Sequence, residues 1–376
     1  VRAIFLQAFR GDVFLAIPLM MTFHVLSHLF QRKLAWLIGP VTLACMVTLG
    51  SLQAQTPEII DRKAIHVALP HGQDTIDFLI GDTSLADRKP VLLFCQGSLP
   101  IPLFAMLDGY GLYLIGGGLS NLDLDTVRQA YHPVVISMPY TPLVADQSHL
   151  NGAFCYVTDP AASRQFDPRY LASDTLDTYV DRALAVLDWL REQPWVDPDG
   201  WVVAGHSQGA KVATRVARST PWITRLGLFS PNPYGRVDQF IREARLDAQL
   251  GRQSWETVDT LITEYVQLSR LSSDPAVRAS DPGLKTLWSF SEPMIDDWLD
   301  LEIPIYIAYG TEDRSADLCD LVPLFFIREG KENLTLKRYI HREHNFFPVG
   351  PDGRPDQERP GWPEVMNAFV RWSRGK

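Results

Sequence analysis

Short apolar runs alternate along this chain with segments whose apolar residues recur every three or four positions. The runs 91–95, 134–138, 201–204, 226–230 and 305–309 are brief and largely apolar. Brevity without polar alternation fits strands buried on both faces of a parallel sheet rather than helices. Residues 63–69 and 75–80 flank Pro70-His71-Gly72-Gln73 and predict an antiparallel opening pair, and 335–339 predicts a last strand. Between the strands, residues 174–192 set Leu176, Tyr179, Val180, Ala183, Leu184, Val186, Leu187 and Leu190 at helical spacing, until Pro194 stops the helix. A shorter helix is predicted over 121–130, capped by Asn121 or Asp123, and another over 363–374. Strands alternating with helices predict an α/β fold, a mainly parallel sheet covered by helices on both faces.

One stretch departs from that alternation. Residues 232–300 hold helix-like segments around 237–250, 254–271 and 293–299. A strand-to-strand crossover needs far fewer than about seventy residues. The expectation is an inserted helical cap over the sheet's C-terminal edge. Phe240, Trp255, Tyr265, Trp288, Phe290 and Trp298 are scattered through it. They suit packing of the insert on the body, and equally an apolar acyl or alcohol group.

At 376 residues with 46% hydrophobic content the chain can bury a large core, and 21% charge without low-complexity tracts argues against wholesale disorder. At the N-terminus, Arg32-Lys33 precedes the apolar run 34–49, and Ser51-Leu52-Gln53-Ala54 offers a small residue for cleavage before Gln55. This order predicts an export signal over 1–54, a periplasmic or secreted protein, and a mature domain over 55–376. Left uncleaved, the same segment would hold the protein at a membrane, since about 20 apolar residues span a bilayer. Arg2, Arg10, Arg32 and Lys33 outweigh Asp12 there, so the rest of the chain is more acidic than the overall −9. An acidic body without a Lys/Arg cluster argues against a nucleic-acid partner. Past residue 54 only Cys95, Cys155 and Cys319 remain, too few for a disulfide framework, though one bridge suits an exported protein. No C-x-x-C or H-x-x-x-H spacing there points to a metal, and no organic cofactor is called for.

The chemistry centres on Gly205-His206-Ser207-Gln208-Gly209, which joins the apolar run 201–204 to a helix-like segment, 210–217. G-x-S-x-G suits a strand-to-helix turn tight enough to demand glycine on both sides of the serine. A serine held there meets the free N–H groups and partial positive charge of a helix N-terminus. Such a hydroxyl needs a base, and the base needs a carboxylate to fix its tautomer. Asp313 follows the 305–309 strand, with Glu312 as the neighbouring alternative, at the edge where open α/β sheets bind ligands. Of nine histidines, His24 and His28 belong to the leader, His66 and His71 to the opening pair, and His132 and His149 precede the nucleophile. His206 lies inside the motif, its backbone pointing it away from the serine hydroxyl. His344, backed by Phe346 and Phe347, is the candidate base, with His341 as the alternative. For an oxyanion hole the Gln208 N–H is one donor, and the Gln96-Gly97-Ser98 turn after the 91–95 strand supplies the second. There Gly97 permits close approach and Ser98 N–H donates. Gly116-Gly117-Gly118 reads as a flexible loop near the mouth; no G-x-G-x-x-G phosphate cradle is present there.

The ordered set of the Gln96-Gly97-Ser98 turn, the Gly205–Gly209 elbow, Asp313 and His344 resembles the α/β-hydrolase superfamily over roughly residues 60–375. Many members carry His-Gly at the oxyanion turn, where this chain has Gln96-Gly97. The resemblance implies an α/β-hydrolase fold with a cap and a serine hydrolase that cleaves a small-molecule ester or amide through an acyl-enzyme. A carboxylesterase is the leading expectation. A prolyl-oligopeptidase-like serine peptidase shares the same triad, an acyltransferase would need a cap that excludes water, and an inactive binding protein would keep only the scaffold.

Overall fold

The computed structural model describes residues 57–162 and 165–375, so the export signal expected over 1–54 lies outside the described residues. The chain opens with β1 (Glu58–Ile60), β2 (Ala64–His71) and β3 (Asp74–Ile80), each antiparallel to the next. There follow β4 (Val91–Cys95), β5 (Phe104–Leu107), β6 (Gly111–Leu114), β7 (His132–Ile136) and β8 (Val144–Asp146). The second half adds β9 (Trp201–His206), β10 (Ile223–Phe229), β11 (Ile305–Gly310) and β12 (Leu334–Tyr339). Nine of these form one sheet in the order β1-β2-β3-β7-β4-β9-β10-β11-β12, parallel from β7 onward. The other three make a small sheet, β6-β5-β8.

The central strands lack polar alternation because both of their faces are covered. Leu93, Val203, Leu226, Leu228, Ile305 and Ile307 point into one apolar cluster with the helices Leu176–Arg191 and Gln208–Ser219. Leu92, Phe94, Val202, Ala204, Phe229 and Ala308 point into the other, with the helices Leu124–Arg128 and Trp362–Ser373. Caps set where the helices begin. Thr175 accepts a bond from Thr178 N–H, so the predicted 174–192 helix starts at Leu176; Asp123 likewise caps Leu124–Arg128 from Thr126 N–H.

The insert between β10 and β11 is helical, and its helices Arg236–Gln249 and Trp255–Ser273 follow the predicted segments. Two further helices, Pro275–Ser280 and Pro282–Phe290, start at Asp-Pro pairs, where Asp274 and Asp281 accept from the N–H groups of the first turn. Trp298 is buried and its indole N–H donates to Thr214 Oγ1 at 2.9 Å, fastening the insert to the helix after Ser207. Phe240 packs on Tyr265 inside the insert with ring centroids 5.4 Å apart, whereas Trp255 and Trp288 face outward under Arg245 and Arg278. Cys95, Cys155 and Cys319 are free and buried, so they form no bridge. No helix among the described residues is long and apolar enough to cross a membrane.

Candidate active site

Five neighbouring parallel strands, β4, β9, β10, β11 and β12, deliver their following residues to one edge of the sheet. At the end of β9 the backbone turns abruptly through Ser207, whose φ of 56° and ψ of −122° lie in a region that non-glycine residues avoid. The flanking glycines allow it. A Cβ on Gly205 would sit 2.0 Å from the Gly209 carbonyl oxygen, and one on Gly209 would sit 2.1 Å from that of Cys95. Neither position has space for any side chain. The turn thus presses the start of the helix Gln208–Ser219 against the end of β4, and leaves Ser207 facing a cleft.

Asp313 and His344 meet across that edge. His344 Nδ1 lies 2.9 Å from Asp313 Oδ2, and Asp313 is 3% exposed, so the bond is shielded from water. The other carboxylate oxygen, Oδ1, accepts from the Ser315 backbone N–H at 2.9 Å and its hydroxyl at 2.7 Å, and Ser315 Oγ is also 3.0 Å from His344 Nδ1. Burial pushes the Asp313 pKa up, but His344 and Ser315 outweigh it and bring it down to about 2. For His344 burial works against the charged ring, and Asp313 prevails, leaving the pKa above the usual imidazole value. The neighbouring alternatives pair with each other elsewhere: Glu312 and His341 form an exposed contact of 3.3 Å.

His206, expected only as part of the elbow, and Ser230, which the sequence did not single out, fix the loop bearing His344. His206 donates from Nε2 to the His344 carbonyl oxygen at 2.9 Å, and the Ser230 hydroxyl donates to the same oxygen at 2.9 Å. Ser230 directly follows β10 and has a φ of 48°. The His206 ring stands edge-on to Trp362, centroids 5.0 Å apart, and burial brings its pKa down to about 3. It stays neutral and serves as a strut. Ser315 could have been suspected as a hydroxyl two residues past Asp313; Ser230 and His206 carried no such signal.

The residues expected to offer oxyanion donors border the cleft, and the reason given for Gly97 changes. Ser98 and Gln208 both line the cleft with Ser207 and His344. Gly97 does not need to be glycine on backbone grounds, since a Cβ there would meet Ser207 Cβ at an ordinary 3.7 Å. Leu99, the next residue after Ser98, has a φ of 88°. Gln96 points away, its amide N–H donating to the Ile136 carbonyl oxygen at 2.7 Å. Against Gln96 packs Gly117, one of three successive glycines with positive φ in a largely buried 3-10 turn, Gly116–Asn121. This turn is a packed prop under Gln96 and Val135, not the loop at the mouth that its glycines suggested.

The cleft is polar. Phe290 is the one apolar side chain among its lining residues, and Arg236, Gln239 and Asn232 bring the insert's chemistry into it. Gln208 reaches across, its amide N–H to Asp174 Oδ1 at 3.2 Å and its Oε1 accepting from Arg236 at 2.7 Å. Lys211 also lines the cleft, donating to the carbonyls of Tyr234 and Glu292 at 2.5 and 2.8 Å. No three His, Cys, Asp or Glu side chains among the described residues are grouped to hold a metal.

Strand order, elbow and the succession of serine, aspartate and histidine along parallel strand ends together decide the architecture. The fold is that of an α/β hydrolase. No protein-family model matches the chain, and no curated protein matches it. Among solved structures, the acylaminoacyl peptidase of Pyrococcus horikoshii is similar over 84% of this chain and 42% of its own, at 13% identity and a TM-score of 0.46. The chain thus spans less than half the length of that peptidase. Fungal esterases from Rhizomucor miehei are similar over 85% of both chains, at 15% identity and 0.47. Est1E from Butyrivibrio proteoclasticus is similar over 83% of this chain and 99% of its own, at 13% identity and 0.41.

Proposed function

We propose that this protein is a serine hydrolase that cleaves a carboxylic ester through an acyl-enzyme. The observation that carries the reading is the 2.9 Å bond from His344 Nδ1 to buried Asp313, in a cleft shared with Ser207 on its strained turn. With its Nδ1 proton directed at Asp313, the His344 ring keeps its Nε2 lone pair as the base. Ser207 Oγ attacks the ester carbonyl while its proton passes to His344 Nε2. The tetrahedral oxyanion takes bonds from the N–H groups of Gln208 and Ser98, each worth about 3 kcal/mol because it is already aimed at the charge. As the C–O bond to the alcohol breaks, the His344 proton goes to the departing oxygen. Water repeats the sequence: its proton passes to His344, its oxygen bonds the acyl carbon, and Ser207 leaves with that proton returned. Asp313 stabilises the imidazolium formed in each half.

A fluorophosphonate probe followed by peptide mapping tests the assignment. Labelling at Ser207, lost in Ser207→Ala together with hydrolysis of short alkyl esters, is expected. Unlabelled protein at high probe concentration, or equal ester turnover by the variant, refutes it. Dipeptide amides assayed beside the esters separate esterase from peptidase: faster amide cleavage would replace the ester assignment.

A further inference from the structure

The cleft beside Ser207 is furnished for charge. Arg236 opens the helix Arg236–Gln249, where a cation opposes the helix dipole and gains nothing structural from it. Its hydrogen-bond partner among the described residues is a neutral amide oxygen, Gln208 Oε1 at 2.7 Å, and no carboxylate among them comes within 4.0 Å. The nearby acids Asp174 and Glu243 attract Arg236 only from beyond contact, and their hydrogen bonds go to other groups. Asp174 takes Tyr179 and Gln208, Glu243 takes Gln239, and Asp238 takes the Gly235 N–H and Arg242. Lys211, 7% exposed, faces the same cleft, held by two carbonyls and with no carboxylate among the described residues within 4.0 Å. Burial, with Arg236 adding repulsion, outweighs the attraction of Asp238 and Glu292 and brings its pKa down to about 7. A guanidinium presents a planar fork of donors that suits a carboxylate. A cleft made to admit an alkyl chain would instead be lined with apolar side chains.

Resting on the serine hydrolase reading above, we propose that Arg236, supported by Lys211, forms an anion subsite, and that the substrate is an ester carrying a second, free carboxylate. The Gln208 side chain holds the Arg236 guanidinium while its backbone N–H faces the oxyanion, so the charged end of the substrate is registered against the reacting carbonyl. An acyl group with a terminal carboxylate and an alcohol bearing one share this chemistry.

Both are tested with neutral partners of matched length: monoethyl glutarate against ethyl valerate, and 4-acetoxybenzoate against phenyl acetate, each followed by acid release at constant pH. In wild type kcat/KM is expected to favour the anionic member of at least one pair by roughly 30-fold or more, the scale of a charge-assisted hydrogen-bond pair. Arg236→Gln collapses that ratio toward unity and Arg236→Lys retains part of it. Ratios near unity in wild type with Ser207 labelled by phosphonate, or an unchanged ratio in Arg236→Gln, overturn the subsite and leave the hydrolase standing. Should labelling fail, glutarate titrated calorimetrically into Ser207→Ala decides the subsite independently. Binding lost on adding Arg236→Gln supports it, and no binding overturns it.

Discussion

Replacing Asp313 by asparagine keeps the side chain's shape and reverses one of its hydrogen bonds. Asp313 Oδ2 accepts from His344 Nδ1, while Oδ1 accepts two bonds from Ser315. In Asp313→Asn the amide oxygen stays with Ser315, whose backbone N–H can only donate, so the new NH2 group faces Nδ1. His344 must then accept at Nδ1 and carry its proton on Nε2, the wrong tautomer for taking a proton from Ser207. The charge is lost as well. At the 2.9 Å separation, opposite unit charges attract by about 6 kcal/mol in a medium of effective dielectric near 20. At about 1.36 kcal/mol per tenfold, that is about four decades in rate, the size seen when the same change is made in the serine-protease triad.

The pH profile gives the argument a second, independent readout. His344 must be neutral to act, and Asp313 raises its pKa above the ordinary imidazole value of 6.5. In wild type, kcat/KM for ester hydrolysis should therefore rise with pH through a midpoint above 6.5. In Asp313→Asn the largest raising influence is gone, leaving Glu343 and Glu243 against burial, so the residual activity should rise through a midpoint lower than that of wild type. Kinetics from pH 5 to 9 on both proteins read the rate and the midpoint together. A loss smaller than tenfold with an unmoved midpoint would refute the role given to Asp313.

Two further outcomes follow from the turn and its strut. Ser207→Gly should abolish turnover yet raise stability to denaturant by up to about 2 kcal/mol, since a non-glycine residue at such dihedrals costs about 1–3 kcal/mol and glycine returns part of that as chain entropy; an unchanged or lowered midpoint would show the turn to be unstrained. The His206 pKa is depressed to about 3, so between about 6.5 and 3 the unfolded chain binds a proton the folded one does not. Stability is then full above pH 6.5 and declines as pH falls. His206→Asn should flatten that decline between pH 6.5 and 4.5, and parallel slopes for the two proteins would sink the claim.

The parallel sheet was legible because burial on both faces removes polar alternation, which is how Val91–Cys95, Trp201–His206 and Ile305–Gly310 stand out. The elbow was legible because sterics leave no choice at Gly205 and Gly209. The small β6-β5-β8 sheet was not: Gly109 and Gly111 suggest a loop, and strands of three or four residues carry too little pattern to outweigh them. The cleft's character was hidden for another reason. Aromatic residues in the insert suited packing and an apolar lining alike, but Trp298 is engaged with the body and Trp255 and Trp288 face outward, leaving Phe290 alone in the cleft. Amphipathic spacing separates core from surface, and a polar residue facing a cleft looks the same in sequence as one facing water. Arg236 differs only by standing at a helix start, where its charge is misplaced.

The loops bearing Ser207 and His344 are tied to one another through a backbone atom. The His344 carbonyl oxygen is held by His206, one residue before Ser207, and by Ser230, one residue past the adjacent strand. The loop after β12 is therefore tied to the ends of β9 and β10 rather than to its own strand alone. Any shift of the elbow carries His206 with it and, through that bond, the peptide that bears the His344 ring. The imidazole is fixed from its other side by Asp313 and Ser315, which follow β11. Three neighbouring strands thus constrain one side chain, two through its main chain and one through Nδ1, leaving Nε2 as the atom whose position the sheet itself sets. Burial holds His206 neutral, and a charged ring there would repel the imidazolium that the proposed mechanism forms on His344, 4.8 Å away centroid to centroid.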